Sequence, residues 1–227
     1  MKLQHFVKMI CRNAHHIIVM ICILFILYKN TVKEGFTQTD IPFFIISDPK
    51  EFIKSREKLK KIGFNNVKRI APVYFLKSRC PKGSVSSTGH PILIPEEGCS
   101  AAHKKAMEEV KKINKASIIL EQDWETTLDN KFVFKKINEY YSLHIKMKRS
   151  LTKLGYCGSG SVPWGCIHAY IVSPMAATAI LNTDSCKDPI DAIYGKLCKN
   201  DLNCTKVENY KTKGENYYAN GLIWQNR

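Results

Sequence analysis

The chain has 227 residues, of which 44% are hydrophobic and 24% are charged, and its formal net charge is +15. This length and composition predict one sizeable globular core, and they exclude both a wholly disordered chain and a multi-spanning membrane protein. The positive charge favours anionic partners, but many of the lysines are spread over predicted helical faces and no nucleic-acid-binding motif is present, so we expect no nucleic-acid partner.

The first thirty residues have the features of a membrane anchor. Basic residues precede an apolar run at residues 17–28, and a lysine follows it. We predict a cytoplasmic tail over residues 1–12, a signal-anchor transmembrane helix over residues 13–29 and a linker over residues 30–40. Because basic flanks stay in the cytoplasm, we expect a single-pass type II membrane protein whose remaining domain lies in the lumen of a compartment such as the endoplasmic reticulum or Golgi.

A cleaved signal peptide is the alternative for this segment. Extended back to Ala14, the apolar stretch spans only about 22 Å, against a hydrocarbon thickness of roughly 30 Å. Against cleavage, the run leads into Tyr28, Lys29 and Asn30, which do not form a small-residue cleavage site. If cleavage does occur, the domain is secreted.

The cysteines agree with a luminal or extracellular location. Seven of the nine lie beyond the predicted anchor. In an oxidising compartment some of these should form disulfides, and their odd number leaves at least one thiol free unless it pairs between chains. Asn203-Cys204-Thr205 is an N-glycosylation sequon that is usable only in such a compartment. We find no Cys-x-x-Cys or His/Cys spacing that indicates a zinc site.

The domain is predicted to begin with a strand and a helix. Residues 41–47, "IPFFIIS", are short, apolar and bounded by polar residues, which is typical of a buried strand. Asp48 is suited to cap the following helix, Pro49 to occupy its first turn and Gly63 to end it.

A second strand is predicted over residues 66–75. Residues 77–98 are rich in Gly, Pro and Ser and show no periodicity, so we predict a long loop there. Ser100 is predicted to cap a helix over residues 101–115, which leads into an apolar strand, "ASIIL", at residues 116–120.

The second half of the domain is predicted to continue the same alternation. Residues 131–155 have mainly helical spacing, residues 166–173 read as a strand, and short helices are expected at residues 174–182 and 188–200. The Gly-rich residues 155–161 do not link a strand to a helix and are no nucleotide fingerprint. The order predicts an α/β fold with a mixed, mostly parallel sheet.

Two carboxylates follow the "ASIIL" strand directly. Glu121 and Asp123 are one residue apart at a position where open α/β sheets bind ligands, the carboxyl ends of their strands. Their mutual repulsion is explained if a divalent cation, Mn²⁺ or Mg²⁺, and a polyanionic ligand share the site. The alternative is an ordinary solvated exit from the strand.

Four segments, taken in order, resemble one enzyme family. The segments "GCSAAHKKAMEEV", "ASIILEQDWE", "AYIVSPMAATAIL" and "DPIDA" are similar to glycosyltransferase family 25, which includes bacterial lipopolysaccharide glycosyltransferases and procollagen galactosyltransferases. The resemblance covers most of residues 41–227 and implies a GT-A-like, single Rossmann-type domain there. Ala102 and Gln122 depart from the family pattern, which usually has Ser and Asp at these positions, and Gln122 puts full activity in doubt.

The resemblance implies a metal-dependent inverting glycosyltransferase. It would move a sugar, galactose or glucose, from a UDP-sugar to a hydroxyl of a glycan or of a protein such as collagen hydroxylysine. The implied site residues are the following: Asp123 and Glu121 for the metal and, with His103, for the donor; Asp191 as catalytic base, with Glu125 and Asp188 as rivals; and Trp124 and Trp164 for the acceptor.

Each of these roles has a plainer alternative. Asp191 also suits a helix start, His103 a packed strand-helix junction, and both tryptophans the core. Two other functions stay open: a catalytically inactive, transferase-like module that binds a glycan or a partner protein, and a basic membrane-tethered protein that binds nucleic acid.

Overall fold

A computed structural model describes residues 40–87, 89–156, 168–207, 220–222 and 224–225. The chain divides into two units, Met1–Thr37 and Gln38–Arg227, and every described residue belongs to the second. The predicted tail, the predicted anchor and the linker up to Thr39 therefore lie outside the described residues. Within the described ranges, no helix combines the length and apolar character that crossing a bilayer requires.

The strands of the described chain form one main sheet and two small ribbons. They are β1 (Phe43–Ile46), β2 (Val67–Ile70), β3 (Ser117–Glu121), β4 (Trp124–Glu125), β5 (Ser150–Lys153), β6 (Gly155–Tyr156), β7 (Ala169–Val172), β8 (Asn203–Lys206), β9 (Asn220–Gly221) and β10 (Trp224–Gln225). The main sheet has six strands in the order β2-β1-β3-β7-β5-β8. Only β7 runs antiparallel to its neighbours, so the sheet is mixed and mostly parallel, as the sequence predicts.

Five helices in the described chain cover the two faces of this sheet. They are α1 (Pro49–Ile62), α2 (Ile94–Ile113), α3 (Asn130–His144), α4 (Pro174–Leu181) and α5 (Ile190–Asn200). Buried side chains of α1 and α3 pack on one face, and those of α2, α4 and α5 pack on the other. The strands supply both cores because successive side chains alternate: Phe43 and Ile45 face the first core, whereas Phe44 and Ile46 face the second. The domain is therefore a three-layer α/β/α fold.

The helix α2 begins earlier than the sequence predicts. Its first residue is Ile94, and Ser100, the predicted cap, lies fully buried inside the helix. Pro95 occupies the first turn, and the Glu96 carboxylate accepts a hydrogen bond from the Leu93 N–H at 2.8 Å, which satisfies a backbone group at the helix start. The predicted loop therefore ends earlier, at Leu93, and the first half of α2 lies beside the ends of β1 and β3.

Two strands of the main sheet were absent from the sequence-based expectation. The helical prediction over residues 131–155 holds only for α3, because Ser150–Lys153 forms β5 between β7 and β8. The predicted strand at residues 66–75 shortens to β2, and Asp48 precedes α1 without a side-chain capping bond. Pairing with neighbouring strands, rather than local periodicity, decides β5 and β8.

Two disulfides form among the described cysteines, as the sequence predicts. Cys80 pairs with Cys186, and Cys198 pairs with Cys204. The first joins the β2–α2 connection to the α4–α5 connection, across 106 positions of the chain. Cys99, on α2, is a free thiol.

Candidate functional site

A cavity of about 470 Å³ opens at the carboxyl ends of β1 and β3. One wall is formed by residues 72–75, which follow β2, and another by the first half of α2, from Ile94 to His103. The strand-end residues 121–123 complete the lining. The volume falls within the range of roughly 300–1,000 Å³ that is usual for small-molecule sites. The cavity therefore lies where an open α/β sheet binds its ligands.

Close contacts hold the two walls of the cavity together. A Cβ atom built on Gly98 would lie 2.3 Å from the carbonyl oxygen of Val73, so only glycine allows α2 to approach this segment. One residue earlier, the buried carboxylate of Glu97 accepts hydrogen bonds from the Ser78 hydroxyl and, at 2.7 Å, from the Arg79 N–H. These hydrogen bonds lower the pKa of Glu97.

The two predicted carboxylates, Glu121 and Asp123, line this same cavity. Glu121 is the last residue of β3, and its N–H donates to the His168 carbonyl at 2.8 Å. Gln122, between them, is exposed, and its side-chain oxygen accepts from the Asp48 N–H at 3.1 Å. The turn after β3 therefore places two acidic residues at one cavity, and the amide of the intervening Gln122 holds the start of α1.

His103 is buried behind Glu121 and connects it to two tyrosines. Its Nε2 lies 3.0 Å from Glu121 Oε1, and its Nδ1 lies 2.8 Å from the Tyr170 hydroxyl, which is 2.8 Å from the Tyr194 hydroxyl. Burial alone would lower the pKa of His103, but the adjacent Cys99 and Glu121 outweigh it and raise that pKa to about 10. With a proton on Nε2, the imidazole donates to Glu121 and fixes the orientation of its carboxylate.

Burial also acts on the two tyrosines. It raises the pKa of both Tyr170 and Tyr194 well above the usual value for a phenol. Tyr170 is fully buried, and its hydroxyl lies against His103. The pair is thus a neutral, oriented support for the imidazole.

Cys99 is part of the site, although the sequence predicts no role for it beyond that of a cysteine in the family-like motif. It lines the cavity, and its Sγ lies 3.9 Å from Glu121 Oε1. Cys99 and His103 are four residues apart on α2 and so share a helical face. The four-residue spacing is a signal in the sequence that could have placed Cys99 beside His103. It becomes informative only when the helix is known to begin before Cys99.

Two other predicted site residues lie away from the cavity lining. Trp124 is only 1% exposed and packs in the core beneath the sheet, so its ring does not offer a stacking surface for a sugar. The Glu125 carboxylate instead pairs with Lys58 of α1 at 2.6 Å, which gives it a structural partner outside the cavity. Trp124 is drawn into the core by its apolar ring, and the Lys58 amine that pairs with Glu125 also lies 4.8 Å from the centre of that ring.

Asp191 lies on the carboxyl edge of the sheet but is not part of the cavity lining. It is in the first turn of α5, and its negative charge acts on Lys153, the last residue of β5, and on Tyr194. Lys153 is 1% exposed, and burial lowers its pKa to about 8 in spite of Asp191, which raises it. The rival carboxylate, Asp188, instead accepts hydrogen bonds from Ser87 and pairs with Lys196.

Trp164, the other predicted acceptor residue, lies outside the described residues.

No protein-family model and no curated protein matches this chain.

Proposed function

We propose that the chain is a glycosyltransferase with a GT-A-like domain that uses a nucleotide sugar, with UDP-galactose or UDP-glucose as the leading donors. The observation that carries the proposal is that Glu121 and Asp123, at the carboxyl end of a central strand, line one cavity together with His103. The same three residues are those that the resemblance to glycosyltransferase family 25 assigns to the donor site.

The cavity has separate features suited to the parts of a nucleotide. Tyr74 and Phe75 line it on the side that follows β2, where an aromatic ring can stack on a base. The carboxylates lie across from them, at the end of β3. A nucleoside on the aromatic wall would therefore direct its diphosphate toward the acidic turn.

The two carboxylates at the end of β3 are suitable ligands for a hard divalent cation. Glu121 and Asp123 offer carboxylate oxygens, which Mn²⁺ and Mg²⁺ prefer, and two acids on one turn have reduced repulsion when a cation is shared. When bound, the cation would neutralise charge on the departing diphosphate. His103 contributes by holding the Glu121 carboxylate in one orientation.

Inversion at the sugar requires one base for the acceptor hydroxyl. Asp191 remains our choice for that base, because it lies in the first turn of α5 on the same edge of the sheet as the cavity. Trp164 remains the predicted acceptor residue, on the resemblance to glycosyltransferase family 25 alone. The acceptor would be a glycan or a protein hydroxyl reached from the luminal face of a membrane.

The central test is transfer or hydrolysis of a UDP-sugar by the purified protein with Mn²⁺. We expect turnover that needs the cation and falls at least about 100-fold in Asp123→Ala, because the metal would lose a ligand. Glu125→Gln is the matched control, since this acid lies on the same turn region but outside the cavity, and it should retain activity. If the intact protein neither binds nor turns over any common UDP-sugar with Mn²⁺, the proposal fails.

A second candidate is an inactive transferase-like module that binds a glycan or a partner protein. The observation that favours it is Gln122, whose side chain is engaged with the Asp48 backbone rather than offering a carboxylate to the cavity. This candidate predicts binding of a nucleotide or glycan without turnover. Turnover by the unmodified protein would exclude it, and Gln122→Asp would then be expected to change the rate only modestly.

A further inference from the structure

We propose that Cys99, His103 and Glu121 form a binding site for a zinc ion in the wall of the cavity. The site differs in chemistry from the Glu121–Asp123 pair, because it adds a thiolate and an imidazole and does not need Asp123. Zinc binding there does not depend on whether the chain transfers sugars. It therefore goes beyond the proposed function and can be tested without any sugar donor.

The separations of the three ligand atoms are close to those of a zinc site. The Cys99 sulfur, a His103 ring nitrogen and a Glu121 oxygen all lie within 4.8 Å of one another, with 3.0 Å from nitrogen to oxygen and 3.9 Å from sulfur to oxygen. Tetrahedral zinc, with bonds of about 2.3 Å to sulfur and about 2.0 Å to nitrogen and oxygen, sets these edges at roughly 3.3–3.5 Å. To form the site, the sulfur–oxygen separation must shorten by roughly 0.4 Å and the nitrogen–oxygen separation must lengthen by roughly 0.3 Å. The sulfur–nitrogen separation, at most 4.8 Å, must shorten by no more than about 1.3 Å.

Two rigid elements hold the ligands. Cys99 and His103 lie one turn apart on α2, and Glu121 ends β3 in the middle of the sheet. His103 is 1% exposed, so its ring has little freedom to turn away. Ligands that start in place lose little conformational entropy when the metal binds.

The surroundings of His103 are those of a metal-bound imidazole. Its Nδ1 faces the Tyr170 hydroxyl, which Tyr194 supports in turn, so Nε2 is the nitrogen directed at Glu121. In zinc sites the second ring nitrogen usually donates to such a partner, which fixes the tautomer and the ring orientation. Zinc would replace the proton that Nε2 carries, and the Nδ1 contact would remain.

The same geometry argues against a second interpretation of these three residues, namely a catalytic triad in which Cys99 is the nucleophile. A nucleophile, base and orienting acid require the cysteine and the acid to use different ring nitrogens. Here Glu121 occupies Nε2, and a tyrosine rather than a carboxylate lies on Nδ1. A metal, in contrast, takes a thiolate, an imidazole and a carboxylate that converge on one point.

The thiolate also decides which ion is favoured. Soft sulfur ligands select zinc over Mg²⁺ and Mn²⁺, and three protein ligands leave a fourth position of tetrahedral zinc open. Because Cys99, His103 and Glu121 all line the cavity, that position faces it. A water molecule or an anionic oxygen donor would fill it.

The test uses Co²⁺ as a spectroscopic substitute for zinc in the full-length protein, without reductant so that the disulfides remain intact. We expect one equivalent of Co²⁺ to produce a thiolate-to-cobalt charge-transfer band and the visible bands of tetrahedral cobalt, and Zn²⁺ to abolish them. Cys99→Ser should remove the charge-transfer band and weaken zinc binding at least about 10-fold. Asp123→Asn is the matched control and should keep both the band and the affinity.

A second variant provides a test that does not depend on replacing a proposed zinc ligand, in case Cys99→Ser misfolds. Tyr170→Phe removes only the hydroxyl on Nδ1, so the charge-transfer band should persist while zinc affinity falls about 10-fold. The absence of a thiolate band in the unmodified protein, or equal zinc affinity in the unmodified protein and Cys99→Ser, would overturn the proposal. Neither result bears on turnover of a UDP-sugar with Mn²⁺, so failure of the zinc site and failure of the transferase can be told apart.

Discussion

At the scale of single residues, the site depends on a glycine that lets α2 approach the opposite cavity wall, as well as on its acidic residues. The Glu121 carboxylate is held by His103, and His103 is placed by α2. The helix in turn reaches the cavity because Gly98 has no side chain toward Val73. Gly98 therefore shapes the cavity by allowing its two walls to approach each other.

Gly98→Ala tests this contact. The new Cβ would meet the Val73 carbonyl oxygen at 2.3 Å, so the backbone must move apart at the cavity wall. We expect the free energy of unfolding to fall by about 1–3 kcal/mol, although alanine favours a helix by about 1 kcal/mol. Urea denaturation measures the effect.

Ala101→Gly is the control, because this position of the same helix is partly exposed. The variant measures the difference in helix propensity between alanine and glycine alone. It should destabilise by about 1 kcal/mol. An unchanged or increased stability of Gly98→Ala would show that the two walls separate without cost, contrary to the packing described here.

At the scale of secondary structure elements, the join between α3 and β5 contains a buried histidine. His144 is the last residue of α3, and it lies 3.0 Å from the Thr152 hydroxyl and 3.1 Å from the Ser150 hydroxyl. Both partners are on β5, the strand that local periodicity does not predict. The neutral imidazole therefore ties a helix end to the sheet.

This contact predicts a pH dependence of stability. Burial lowers the pKa of His144 to about 4, against 6.5 for the ordinary side chain. The unfolded chain then binds a proton below about pH 6.5 that the folded chain does not, so stability is lost as the pH falls from there toward 4. Between pH 7 and pH 5 the loss should be about 2 kcal/mol.

The measurement is urea unfolding at both pH values in the unmodified protein and in His144→Gln, which cannot take up a proton. Other groups also titrate in this range, so the difference between the two proteins is the quantity to compare. If the variant loses as much stability as the unmodified protein, His144 is not the cause.

At the scale of the whole domain, long-range links tie down the connection that supplies one wall of the cavity. The Cys80–Cys186 disulfide and the hydrogen bonds from Ser87 to Asp188 join the β2–α2 connection to the α4–α5 connection. One wall of the cavity, residues 72–75, belongs to the first of these connections. A cavity wall without regular secondary structure is thus held by covalent and polar links.

Removing this disulfide should cost more than removing the local one. Cys80 and Cys186 are 106 positions apart, whereas Cys198 and Cys204 are 6 apart. Loop-closure entropy predicts about 5 kcal/mol for the first and about 2 kcal/mol for the second. Thermal unfolding of the two double Cys→Ser variants compares them, and a smaller loss for the long-range pair would contradict the argument.

How much the sequence determines varies along the chain. The strands β1, β3 and β7 and the helices α1, α4 and α5 follow from apolar runs, Pro and Gly positions, because these are local signals. The position of the acids at a strand end is equally local. The sequence by itself therefore determines the α/β class and directs attention to Glu121 and Asp123.

Only the tertiary structure decides the rest of the site. Trp124 lies in the core, and Cys99, His103 and Glu121 converge, because a helix and a strand joined by a short turn pack side by side in three dimensions. Likewise, β5 becomes a strand because β7 and β8 lie on either side of it to pair with. Such outcomes depend on free energies of contact between distant positions, which no local pattern of residues contains.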